Sequence, residues 1–289
     1  MRNPISPRQN DPNDKISATM KVRSLAVMHK TVPLLLMGAL LTGFACGQST
    51  QSQPEKLADM ATLPDAIAKV KSGDFGAVHV ELIAEAGAVE AIPILKEQFV
   101  RVHDPLLKAK IASVLVRLGD KDDTYWDFLL KPATQAVESD APNFISYDSQ
   151  GKAMAGASPA FAAWAEAHNS SPDAMPEAQI YSAPGAVGLL ALTGDPRAIP
   201  VLRRGLLSPN YQIEIMAALG LADLGDKGSI PLIIEACGKA PAEAATAIAQ
   251  ALVYFDDPAA QSAVDQYIPR DIAKIYREAR AQGRKPFGN

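Results

Sequence analysis

Residues Gly194 to Leu202 read GDPRAIPVL, and the same nine-residue pattern returns 31 residues later as GDKGSIPLI, from Gly225 to Ile233. A degraded copy, DDPAA, begins at Asp256 after another 31 residues. Upstream, GAVEAIPIL runs from Gly87 to Leu95, and Gly119-Asp120 follows 32 residues after Gly87. A period of this size marks stacked two-helix units. One helical hairpin cannot bury its apolar face alone, so like faces stack until a continuous core forms.

Each unit predicts the same local structure. In the unit from Gly194, Asp195 and Pro196 are a helix start, because Asp satisfies free backbone donors and Pro lacks an N–H only where none is needed. Ile199, Leu202, Leu206 and Leu207 then form an apolar stripe. Ser208-Pro209-Asn210 breaks this helix and caps a second, in which Ile213, Met216, Ala217, Gly220, Leu221 and Leu224 share a face before Gly225 ends it. Small residues in the second helices, such as Ala217, Gly220, Ala245 and Ala249, allow close helix approach. Pro93, Pro200 and Pro231 recur after Ile and are expected to bend the first helix near its amino end.

The pattern GDxxAIPxL, a Pro-containing break and an alanine-rich second helix ending in LGD resembles the short HEAT repeats of the phycobilisome-lyase type. The resemblance covers about residues 63–281, with Gly87, Gly119, Gly194 and Gly225 as anchors. It implies an all-α protein, an α-solenoid of about five to six HEAT-like two-helix repeats with one long insertion in a central repeat. It leaves activity open: relatives of this kind are scaffolds, bilin-lyase subunits or, in one branch, iron hydroxylases.

The insertion is located by a break in the spacing, because Gly119 to Gly194 is 75 residues. With first and second helices predicted at Asp122 to Leu130 and about Gln179 to Leu192, it falls at about residues 131–178. It holds one predicted short helix from Pro159 to His168, capped by Ser158. Eight of the chain's 17 aromatic residues lie in or beside it. Of these, Tyr125, Trp126, Phe144, Tyr147, Phe161 and Trp164 are candidate binding residues, since Trp and Tyr are preferred interface anchors. The competing reading makes Phe161 and Trp164 the small core of a loop folded back on the solenoid. A second candidate surface is the face formed by the second helices, with Lys108, Tyr211, Gln212, Glu243 and Gln250 as contact positions.

At the amino end, Arg23, His29 and Lys30 precede the apolar stretch VPLLLMGALLTGFA, residues 32–45, which stops at Cys46 before the polar GQSTQSQPEK. About 14 apolar residues suit a secretory signal better than a spanning helix. The placement of Cys46 resembles a bacterial lipoprotein signal, which implies lipidation of Cys46, although Gly43 and Phe44 depart from the usual pattern. The expected organisation is a signal at 1–45, with Met20 or Met28 as alternative starts, a tether at 46–62, the solenoid at 63–281 and a tail at 282–289.

Charge and chemistry narrow the function. Residues 1–45 carry six basic and two acidic side chains, so their removal takes the net charge from −4 to −8, which disfavours nucleic acid as a partner. The cluster Asp120, Asp122 and Asp123 reads as a solvated loop and helix cap, and Cys237 as a small buried core residue. No His is followed by Glu, as the iron-binding relatives would require; no GxSxG or P-loop pattern occurs. No catalytic residue, metal ligand or cofactor is therefore assigned. The expected function is a non-catalytic protein-binding or assembly scaffold, exported and tethered by lipid at the periplasmic side of a membrane, with a protein partner. The alternative is an enzyme or lyase-like subunit handling an apolar or tetrapyrrole-type ligand.

Overall fold

A computed structural model describes residues 62–167 and 183–287. Among these, 13 α-helices and one two-stranded sheet are formed. The first pair is α1 (Leu63–Ser72) and α2 (Ala77–Glu85), and the second is α3 (Ile92–Arg101) and α4 (Pro105–Arg117). Then comes α5 (Asp123–Glu138), followed by strands β1 (Ile145–Tyr147) and β2 (Ala153–Ala157), the helix α6 (Pro159–Ala167), and α7 (Ala183–Ala191). The remaining pairs are α8 (Ile199–Gly205) with α9 (Tyr211–Asp223), α10 (Ile230–Lys239) with α11 (Ala242–Ala249), and α12 (Pro258–Tyr267) with α13 (Arg270–Ala281).

The helices pack as the repeat predicts. Along one row α1 meets α3, α5 meets α8, and α10 meets α12; along the other α2, α4, α7, α9 and α11 touch in succession. These contacts define six two-helix units and an all-α, HEAT-like solenoid. The buried side chains are mostly Ala, Val, Ile and Leu, supplied in turn by each unit.

The repeated motif has one physical job at every joint. Gly87, Gly119, Gly194 and Gly225 have φ of 62°, 86°, 63° and 65°, the left-handed conformation that ends a helix and reverses the chain. The Asp195 carboxylate then accepts from the backbone N–H of Arg197 at 2.9 Å, and Asn210 caps α9 by accepting from Gln212 N at 3.0 Å. Asp104 and Asp257 cap α4 and α12 in the same way. Joints are also tied across units. The Lys96 ammonium reaches Asp120 at 3.0 Å, and the equivalent Arg203 reaches Asp226 at 2.8 Å.

Two local expectations change. Pro93, Pro200 and Pro231 do not bend established helices. Each occupies the second position of its α-helix, directly after a short 3-10 turn, where no intrahelical N–H bond is lost. The first helix of the third unit also runs beyond Leu130 to Glu138, through Pro132, because Ala133, Ala136 and Val137 are buried against the solenoid. The connection between α5 and α7 therefore starts at residue 139, not at 131. The signal, Cys46 and the tether up to residue 61 lie outside the described residues, as do His168 and Tyr181.

Candidate binding surface

The insertion builds a small structure of its own. β1 and β2 pair antiparallel, with Ile145 opposite Ala157 and Tyr147 opposite Ala153. Their turn is held by Asp148, whose carboxylate accepts from the N–H groups of Gln150 at 2.8 Å and Lys152 at 3.0 Å. Those backbone donors hold the Asp148 carboxyl below its usual range. The Ser158 hydroxyl caps α6, accepting from Phe161 N at 3.1 Å and donating to the Asn143 carbonyl. Phe144 meets Phe161 edge to face at 5.1 Å, Phe161 lies 5.9 Å from Trp164, and the Trp164 indole donates to Asp140 at 3.0 Å. Phe144, Phe161 and Trp164 thus form a local aromatic cluster, each ring half-buried.

The hairpin then seats on the amino ends of α9 and α11. Asn143 donates to the Pro209 carbonyl at 2.7 Å and accepts from Tyr211 N at 2.6 Å. The Tyr147 ring packs edge to face on Tyr211 at 5.8 Å, and the Gln212 amide donates to the Tyr147 hydroxyl at 3.4 Å. At the turn, Glu243 N donates to the Gly151 carbonyl at 3.1 Å, while the Glu243 carboxylate accepts from Ala153 N at 2.9 Å. Gly151 has φ 77°, and a Cβ there would lie 2.4 Å from Ala242 N, so the seat admits only glycine without movement.

The two candidate surfaces therefore meet. Tyr147 from the insertion group and Tyr211, Gln212 and Glu243 from the second-helix group form one contact region. The others divide differently. Tyr125 and Trp126 are corrected from binding candidates to core: both sit on α5, each 5% exposed. Phe99 packs edge to face on Tyr125 at 4.9 Å, and the Arg197 guanidinium covers Trp126 at 4.3 Å. Lys108 stands over the Phe99 ring at 4.9 Å, at the joint between units two and three, and Gln250 opens the 3-10 turn after α11. Gln212 is 2% exposed, so it supports the hairpin from below and offers no free surface.

Sequence reasoning missed Glu214. This residue of α9 is 5% exposed, and neither its Oε2 nor Gln212 Oε1 receives a hydrogen bond. Burial pushes the Glu214 carboxyl up to about 8, against the opposing pull of the Lys239 charge. Cys237, on α10, is 1% exposed and pushed up to about 12, by burial first and then by Glu214. The signal was a carboxylate placed between Ile213 and Ile215 in a helix that is apolar on nearly every side.

His79 and the acidic cluster have structural roles. His79 Nδ1 accepts from Gly76 N at 3.1 Å at the start of α2, and Glu81 pairs with Arg117 at 2.5 Å. Asp120 binds Lys96, Asp122 accepts from Thr124 N at 3.0 Å, and Asp123 pairs with Arg197 at 2.8 Å. Among the described residues, no group of three or more His, Cys, Asp or Glu converges as metal ligands, and no helix is long and apolar enough to cross a membrane.

An all-α stack of paired helices with capped, glycine-ended joints is the architecture of HEAT-repeat proteins. Residues 183–253, from α7 through the turn after α11, match the family model for HEAT repeats, over the segment where the seat of the hairpin is built. No curated protein and no solved structure matches the chain. The match speaks for HEAT repeats in general and does not single out the phycobilisome-lyase type.

Proposed function

We propose that this chain is a non-catalytic protein-binding or assembly scaffold, exported and held by a lipid on Cys46 at the periplasmic side of a bacterial membrane. HEAT repeats generally serve as protein-interaction modules, because their stacked helices expose long continuous faces to a partner. The observation that carries the reading is the contact region at residues 143–153, 211–212 and 243. There an insertion, the usual carrier of recognition in repeat proteins, lies across the second-helix ends of two HEAT units. Export and lipid attachment rest on the sequence of residues 23–46.

The test is cross-linking in cells followed by mass spectrometry, on the full chain and on a version in which residues 140–181 are replaced by a short Gly-Ser linker. A protein captured reproducibly by the full chain and lost on replacement supports the scaffold reading. Capture of the same set by both versions, or of none, overturns the role given to the insertion. Metabolic labelling with a radiolabelled fatty acid, compared between the native chain and Cys46→Ser, tests the anchor; equal labelling of both rejects it.

A further inference from the structure

The hairpin is fastened to the solenoid by few bonds, and these converge on one corner. Asn143, Tyr147, Gly151 and Ala153 engage Pro209, Tyr211, Gln212 and Glu243 at the amino ends of α9 and α11. On the same turn of α9 lies Glu214, 5% exposed with an unpartnered oxygen, and its electrostatic influence reaches both the Tyr147 hydroxyl of the hairpin and the Cys237 thiol of α10. We infer that residues 143–157 form a displaceable strap across units four and five, and that Glu214 is its proton-controlled latch: neutral when the strap is down, ionised when it lifts.

The surroundings of Glu214 explain why ionisation is unwelcome with the strap down. From α10 it faces Cys237 and Lys239, but the Lys239 ammonium is already bound to Glu235 at 2.7 Å. From the hairpin its charge acts on Tyr147, and on its own helix on Tyr211; the one ionisable residue of α11, Glu243, is taken up by the hairpin's Ala153 N–H. Arg203 and Arg204 of α8 are engaged by Asp226 and Glu138, Tyr254 of the following 3-10 turn donates to the Lys285 carbonyl, and α7 has no ionisable residue. A buried carboxylate without a donor or an unshared cation is strongly disfavoured.

Linkage gives the sign. With the strap down, burial raises the Glu214 carboxyl from its ordinary 4.5 to about 8; lifting the strap returns it toward the ordinary value in this scheme, so docking takes up a proton. Docking is fullest at low pH, weakens by up to ~10-fold per pH unit between the two values, and levels off above the higher one. The second-helix face that the strap covers is consequently more open in neutral or alkaline surroundings than in acid. This inference concerns docking alone and stands whether or not a partner binds the face.

Hydrogen exchange read by mass spectrometry on peptides spanning residues 143–157 tests it in the full chain. Comparing the native chain with Glu214→Gln at one pH cancels intrinsic exchange rates, because the hairpin sequence is unchanged. Near-equal protection at pH 4, below both values, with at least ~10-fold faster exchange of the native hairpin at pH 8, supports the latch. The same protection ratio at both pH values overturns it. A second arm does not depend on Glu214→Gln folding. Gly151→Val, whose Cβ would strike Ala242 N, lifts the strap directly, and the Glu214 carboxyl carbon is then titrated by NMR. Its midpoint falls by about two pH units or more if the strap is what buries it; an unchanged midpoint overturns the inference.

Discussion

At the residue scale, the joints are written in glycine and aspartate. A helix must reverse at each unit boundary, and Gly225 does so with φ 65° and nothing within 4 Å of where a Cβ would sit. Gly225→Ala therefore meets only backbone strain, and the expected loss is about 1 kcal/mol of unfolding free energy, measured by urea denaturation. A loss several times larger would mean that the joint has packing partners that the geometry does not show. These glycines and their capping Asp or Asn residues were legible in the sequence because left-handed turns and helix starts are decided within a few residues. Glu214 was not, since burial of one side of a helix depends on neighbours far along the chain.

At the element scale, close helix approach sets the strongest constraint. Gly220 of α9 faces α7 and α8, where an added Cβ would lie 2.5 Å from Ala191 Cβ and 2.9 Å from Leu202 Cδ1. Gly188 of α7 is more forgiving, since its nearest neighbour is the flexible Met216 sulfur at 3.3 Å. Gly220→Val is expected to cost about 2–3 kcal/mol and Gly188→Ala less than about 1 kcal/mol, both read from thermal melts. Equal costs would show that α7 and α9 can slide apart freely. The alanine-rich composition announced close packing of second helices, but not which small residue stands at the crossing. The length of α5 was equally hidden. Pro132 and the polar residues after it look like a helix end, yet Ala133, Ala136 and Val137 gain more by burial than the helix loses at the proline.

At the scale of the whole molecule, stability is a sum over neighbouring units, and the described part of the insertion joins it through the seat on α9 and α11. α5 and α7 pack directly on one another, so a short linker from residue 139 to 182 joins them without unstacking the repeats. The melting temperature after this replacement is expected to fall by no more than about 5 °C. Loss of the cooperative transition would place the insertion in the core. A deletion starting at residue 131 would instead remove the buried end of α5 and is expected to destabilise the third unit outright.

By itself the sequence determined the repeat, its period, the capped and glycine-ended joints, the all-α stack and the existence of one long insertion. Each of these is a local or periodic property, fixed by propensity, capping and the recurrence of apolar positions. Tertiary structure alone decided that Tyr125 and Trp126 belong to the core and that the hairpin folds back onto Tyr211, Gln212 and Glu243. It also decided that Glu214 is buried near that seat. Residues 147 and 211, and 151 and 243, lie 64 and 92 positions apart, about two and three repeat lengths, and nothing local encodes their meeting. Only the stacking of units three to five brings them to one corner.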